Sequence, residues 1–324
     1  MTDTLTPAPD RAAEVRAEVL AILKAEGISQ ARLAREISIA AGSLNPWLND
    51  NYPGGGGDHV QLALEKWLAS RPARQETLDL VPQTPPFCET PTAKRILDDL
   101  GFAHHMQDLA LIVGPAGIGK TSACEEYKNR NPSVWVATLH PSAGRIGGVL
   151  QRACKAMHFE EKNPQNRHDA IVDRLRGTKG LLIFDEAQNA STTALDELRS
   201  IRDEARVGMA LVGNETLLAR LQGDGRKKEY AQLHSRLGAR YVARVREQDI
   251  ATMLDAWGLT EAPERRLAAV IARRAGHFRN LEKSIVMASL LAAGFGEEMS
   301  VQHLRAAYER LTCSDDSANE GSVG

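Results

Sequence analysis

The chain has 324 residues, 43% of them hydrophobic and 25% charged, with a formal net charge of −2. The length suffices for roughly two domains with full cores, and the near-neutral balance excludes polyanion binding through a global positive field, so any such surface must be local. Cys88, Cys124, Cys154 and Cys313 have neither metal-ligand spacing nor the density of a disulfide framework. The opening MTDTLTPAPD lacks the basic start and apolar core of a secretion signal. No apolar run approaches the roughly 20 residues that cross a bilayer, and the expected setting is a reducing cytoplasm without membrane partners.

In chain order, residues 1–10 are expected to be disordered and residues 11–71 to form a small all-α domain. Helical spacing over 11–26 puts Val15, Val19, Ile22 and Leu23 on one face. Ser29–Ile37 repeats the pattern with Leu33, Ala34 and Ile37, and Ser38–Asn49 with Leu44, Trp47 and Leu48. Two short helices with a tight connection make a helix-turn-helix, and this pair resembles the phage-repressor type, in which the second helix enters the major groove. On that alignment Ser43 and Asn45, with Gln30 and Arg32 on the preceding helix, are candidate DNA contacts. Pro46 removes a backbone donor, so the second helix is expected to begin late, near Ser43, or to kink. Residues 10–71 hold seven Lys/Arg against eight Asp/Glu, which leaves a helical docking module as the rival reading. Gly54–Gly57 reads as a flexible wing before a closing helix, His59–Ser70. Pro72, Pro82, Pro85, Pro86 and Pro91 mark residues 72–91 as a semi-extended linker.

From residue 92 short β-rich runs alternate with helical patterns. Strands are predicted at Leu109–Val113, Val134–Leu139, Gly180–Phe184, Met209–Val212 and Arg240–Val245, which implies an α/β domain over 92–246 with a parallel sheet and helices on both faces. Such sheets bind ligands at the carboxyl ends of their strands. Directly after the first strand comes Gly114-Pro115-Ala116-Gly117-Ile118-Gly119-Lys120-Thr121 and then Ser122, a phosphate loop between strand and helix. Its glycines let backbone N–H groups face phosphate oxygens, and the helix that follows adds its positive end. Lys120 is expected at the β- and γ-phosphates of ATP, and the Thr121 hydroxyl on Mg²⁺. The apolar strand LLIFDE ends in Asp185, a second candidate magnesium ligand, and Glu186, a candidate base for the attacking water. Met209–Gly213 leads to Asn214, a candidate for the γ-phosphate and the attacking water, or else a helix cap. Past residue 246 four helices are predicted, at 249–258, 261–276, 278–293 and 300–311. They form a helical cap over 247–312, and the tail 313–324 is expected to be disordered.

GPAGIGKT, LLIFDEAQ, ALVGN, SRL and GHFRNL, in this order, resemble the AAA+ ATPases over about residues 92–312. The resemblance implies a P-loop AAA+ core with a C-terminal helical cap. It also implies an arginine acting on a neighbouring subunit's ATP, for which Arg236 and Arg240 are candidates, and a cap arginine near the γ-phosphate, Arg279. An arginine working in trans implies assembly, as a ring or an open helical filament. Arg145, in the Gly-flanked SAGRIGG, occupies a segment where AAA+ proteins often keep a pore-facing loop. Residues 199–246 carry eleven Lys/Arg against five Asp/Glu, sharpest at Arg226, Lys227 and Lys228. Arg145 and this cluster are candidate DNA-phosphate contacts. With the QARLAREI–SLNPWLND block, GPAGIGKTSAC, HSRLGAR and GHFRNLEK, nearly the whole chain is similar to the phage Mu B family of transposition proteins. That likeness implies ATP-dependent, largely non-specific binding to duplex DNA, self-assembly on it, and delivery of target DNA to a transposase that the protein activates. An AAA+ remodelling or secretion-associated ATPase acting on protein, and a nucleotide-switched transcriptional regulator, are the alternatives.

Overall fold

The computed structural model describes residues 11–52, 57–80, 82–222, 237–260 and 262–312. The chain divides into two units, Met1–Val81 and Pro82–Gly324.

The N-terminal unit contains α1 (Arg11–Glu26), α2 (Gln30–Glu36), α3 (Ala41–Leu48) and α4 (Asp58–Leu80). Val15, Val19, Leu33, Leu44, Trp47, Leu48, Val60 and Leu64 close one small core. Ser29 caps α2 by accepting the N–H of Arg32 at 3.2 Å. The expected late start of the second short helix is corrected. α3 begins at Ala41 and carries Pro46 inside it. Proline forfeits only the bond to the carbonyl four residues back, and burial of Leu44, Trp47 and Leu48 holds the turn against that loss. The linker also differs from expectation. α4 runs through Pro72 to Leu80, because ARQETLDL is rich in helix-forming residues and one proline removes one bond.

The second unit starts as an irregular segment and enters α5 (Pro91–Met106) at Thr90, whose hydroxyl accepts the Ala93 N–H at 3.1 Å. Pro91, expected at the end of the linker, is the first residue of this helix, where its missing N–H costs nothing. Five parallel strands follow: β1 (Leu109–Val113), β2 (Val134–Thr138), β3 (Leu181–Asp185), β4 (Gly208–Gly213) and β5 (Leu237–Val242), in the order β2-β3-β4-β1-β5. β4 therefore lies between the phosphate-loop strand and the acidic strand. Alternate residues serve the two faces. Leu109, Leu111, Leu182, Phe184, Met209 and Leu211 meet α7 (Ile146–Ala156), α8 (Arg167–Leu175) and α9 (Thr192–Ala205). Ala110, Ile112, Leu181, Ile183, Ala210 and Val212 meet α5 and α6 (Lys120–Arg130). α10 (Glu215–Gln222) follows β4. The fifth strand lies three residues earlier than expected, because VARV continues the apolar pattern past the paired residues.

The cap is α11 (Glu247–Ala256), α12 (Ala262–Arg273), α13 (His277–Gly294) and α14 (Val301–Thr312), packed around Ile250, Leu254, Ile271, Leu281, Ile285 and Leu304. Fully buried Asp249 ties it to the base of the domain. Its carboxylate accepts the Thr92 N–H at 2.7 Å, the Thr92 hydroxyl at 2.8 Å and the Arg246 N–H at 2.7 Å.

Candidate active site

The loop between β1 and α6 carries Gly117 at φ +84° and Gly119 at φ +91°. A Cβ on Gly117 would lie 2.0 Å from the Gly276 carbonyl oxygen, so only glycine lets the loop pass under α13. That passage is bonded: the Phe278 N–H donates to the Gly117 carbonyl at 3.1 Å. Lys120 is buried and its ammonium donates to the Gly114 and Pro115 carbonyls, each at 2.8 Å. Burial pushes it below the ordinary lysine value, opposed by Asp185 and Glu186.

Thr121 and Asp185 meet, the hydroxyl donating to Asp185 Oδ2 at 2.7 Å. Asp185 is buried at the end of β3, and burial pushes its carboxyl above the usual range, while the Thr121 hydroxyl and the Glu186 N–H oppose this. Glu186 follows in the left-handed region, φ +56°, and faces the same cleft. The cleft, about 420 Å³, is lined by Ala116–Ser122, Glu186, Phe278, Arg279 and Glu282, and also by Thr84–Cys88, Met253 and Trp257. One hydroxyl and one carboxylate side by side, a buried lysine and a glycine loop at a helix N-terminus form a donor set that fits a magnesium-bound triphosphate.

The remaining candidates are distributed as follows. Arg279 lines the cleft from the first turn of α13. Asn214 stands at the carboxyl end of β4, where its side-chain oxygen accepts the Thr216 N–H at 3.0 Å, the capping role weighed for it above. Arg240 lies within β5, paired in register with Leu111. Arg145 is exposed where the chain enters α7 and borders a groove with Gly144, Asn189 and Arg220. Gln30 and Asn45 are exposed and Ser43 is half-buried. Arg226, Lys227, Lys228 and Arg236 lie outside the described residues.

Two features escaped the sequence reading. The apolar wall of the cleft comes from the Pro-rich segment, read as linker, and from Met253 and Trp257 on the cap; the signal was Pro85-Pro86-Phe87 standing directly before a capped helix. Gln188, in LLIFDEAQ, bonds Glu186, and its place two residues past the acid was the available sign. Among the described residues, no group of three or more His, Cys, Asp or Glu side chains is placed to hold a metal ion, and no helix is long and apolar enough to cross a membrane.

Comparison with known proteins matches residues 235–311 to a family model described as "Mu B transposition protein, C terminal" and residues 103–221 to an AAA domain. The chain is 31% identical over 308 residues to the ATP-dependent target DNA activator B of Escherichia phage Mu, covering 94% of this chain and 96% of that protein. It is 34% identical over 236 residues to the Mu-like prophage FluMu DNA transposition protein B of Haemophilus influenzae, covering 72% and 81%. Among solved structures, a Walker-type ATPase of Pyrococcus abyssi superposes with a TM-score of 0.50 at 14% identity, over 73% of this chain and 76% of that one, a likeness of fold.

Proposed function

The chain belongs to the Mu B family of transposition proteins and is an AAA+ ATPase, and from that premise we propose that it grips target DNA in its ATP-bound state and presents that DNA to a transposase. The observation that carries the nucleotide half is the meeting of Lys120, Thr121, Asp185 and Glu186 at one cleft beneath α13. Magnesium-bound ATP supplies the phosphoanhydride bond to be broken. Lys120 holds its β- and γ-phosphates, Thr121 and Asp185 hold the metal, and the N–H groups of 116–121 face phosphate oxygens. Glu186 takes the proton of the attacking water. Arg279 would steady the γ-phosphate from the cap, and Asn214, its side-chain oxygen on the Thr216 N–H, would have its amide nitrogen left to offer from the end of β4. Pro85, Phe87, Met253 and Trp257 would form the apolar surface against which the adenine could pack.

The DNA half rests on the names of the relatives and on local charge. Arg145, Arg226, Lys227 and Lys228 contact duplex phosphates without reading sequence. Gln30, Ser43 and Asn45 offer a second contact from the N-terminal helices. Arg236 or Arg240 completes the site of a neighbouring copy, and the head-to-tail contacts build a ring or helical filament on DNA. The protein works in the cytoplasm, and its transposase partner stimulates hydrolysis and release.

Glu186→Gln tests the reading. The amide keeps the side chain's size and cannot accept the proton. Hydrolysis is expected to fall at least about 100-fold while ATP binding persists, so the variant stays on random-sequence duplex once ATP is added. ATPase assays and filter binding measure both. A variant that hydrolyses like the parent refutes the base; ATPase activity indifferent to DNA, with no ATP-dependent retention, refutes the DNA reading.

Reversing Arg145 to Glu is expected to weaken duplex binding and to reduce the slope of log affinity against log salt by about 1, and replacing both Lys227 and Lys228 with Glu by about 2. An unchanged slope removes those residues from the interface.

A further inference from the structure

Gln188 lies half-buried in the 3-10 turn Ala187–Asn189 that follows β3, and nothing in the nucleotide or DNA reading uses it. Its amide nitrogen donates to Glu186 Oε2, and its amide oxygen accepts the Asn214 N–H at 3.2 Å. The two bonds fix the amide's orientation, since an NH₂ group cannot face another donor. Gln188 thus spans the carboxyl ends of β3 and β4. Gly213 keeps the path open: a Cβ there would lie 2.6 Å from Gln188 Oε1. The turn itself is anchored from two sides. Arg220 donates to the carbonyls of Gln188 at 2.7 Å and Ala190 at 2.8 Å, and the Asn189 amide donates to the Leu139 carbonyl at 3.1 Å.

We propose that Gln188 is a positioning residue for ATP hydrolysis, holding the Glu186 carboxylate in one orientation toward the cleft and referring that orientation to the strand end that carries Asn214. The inference rests on the reading of Glu186 as the base. A glutamate has three side-chain torsions, and a base free to turn about them spends little time aligned with its water. One bond from an anchored neighbour removes that freedom without occupying both carboxylate oxygens.

Steady-state ATPase kinetics of the full chain, with melting curves as the check on folding, test this. Gln188→Ala is expected to lower kcat about tenfold, a fraction of what a placed base contributes, with KM for ATP within about twofold of the parent. Gln188→Glu keeps the shape and the acceptor toward Asn214, but sets a second carboxylate against Glu186. Its kcat is expected to fall at least about tenfold with KM for ATP within about twofold of the parent, a split that a merely structural role would not produce. A parental kcat in Gln188→Ala overturns the proposal, as does a parental kcat in Gln188→Glu; the second variant decides if the first fails to fold. Glu186→Gln separates the two levels. If it is inactive while Gln188→Glu behaves as the parent, only the positioning role fails; if it remains active, the base assignment falls and the positioning role falls with it.

Discussion

A Lys120→Ala variant is expected to hydrolyse ATP about 1,000-fold more slowly than the parent and to lose ATP-dependent retention of DNA. The side chain is buried in the loop it serves, with its ammonium on the Gly114 and Pro115 carbonyls at 2.8 Å each. Alanine removes the cation at the centre of a cleft whose other charged groups nearby include Asp185 and Glu186. An incoming triphosphate would then meet two carboxylates with Arg279 as the cleft-lining cation left to offset them from the cap. Titration with a fluorescent ATP analogue measures binding and phosphate release measures turnover. Parental values in both, with parental coating of duplex, would end the assignment of this cleft as the ATP site.

Asp249→Ala is expected to lower the stability of the second unit by about 3 kcal/mol, seen as a fall of several degrees in its melting temperature. The fully buried carboxylate accepts three hydrogen bonds, two of them from backbone N–H groups at the starts of α5 and α11. Those donors lie at positive helix ends, where a carboxylate is favoured, and each costs about 1–3 kcal/mol if left buried and unpaired. Asp249→Asn keeps one acceptor and is expected to fall between the parent and the alanine variant. Because Asp249 joins the base to the cap, the alanine variant should also bind ATP more weakly, with a smaller rise in melting temperature on adding nucleotide. Differential scanning calorimetry with and without nucleotide reads both effects, and a melting temperature within one degree of the parent's would remove Asp249 from this role.

The parallel sheet was legible because β1, β3 and β4 are buried on both faces, so LALIV, LLIF and GMALVG read as unbroken apolar runs. The edge strand β5 was legible only to within three residues. Its sequence LGARYV mixes Arg and Tyr with small residues and gives neither a continuous nor a strictly alternating signal. Lys120, Thr121 and Asp185 could be named as candidates from the sequence, the first two from the loop pattern and the third from the end of an apolar strand, and the structure brings Thr121 and Asp185 into contact. The Pro-rich stretch was misjudged for a physical reason. Proline density reports backbone stiffness and missing donors, and both are compatible with a helix that survives Pro72 and with a rigid wall formed at Pro85-Pro86-Phe87. Gln188 was passed over because its place two residues past the acid does not reveal its contact with Asn214, 26 residues away, or with Arg220, which pins the turn.

The hydrogen bond from the Phe278 N–H to the Gly117 carbonyl has a kinetic consequence. It is made by backbone on both sides, with Gly117 and Gly276 pressed together where no side chain fits. Any hinging of α13 away from the phosphate loop therefore breaks a backbone bond rather than turning a side chain aside, and loop and cap are expected to move as one until that bond opens.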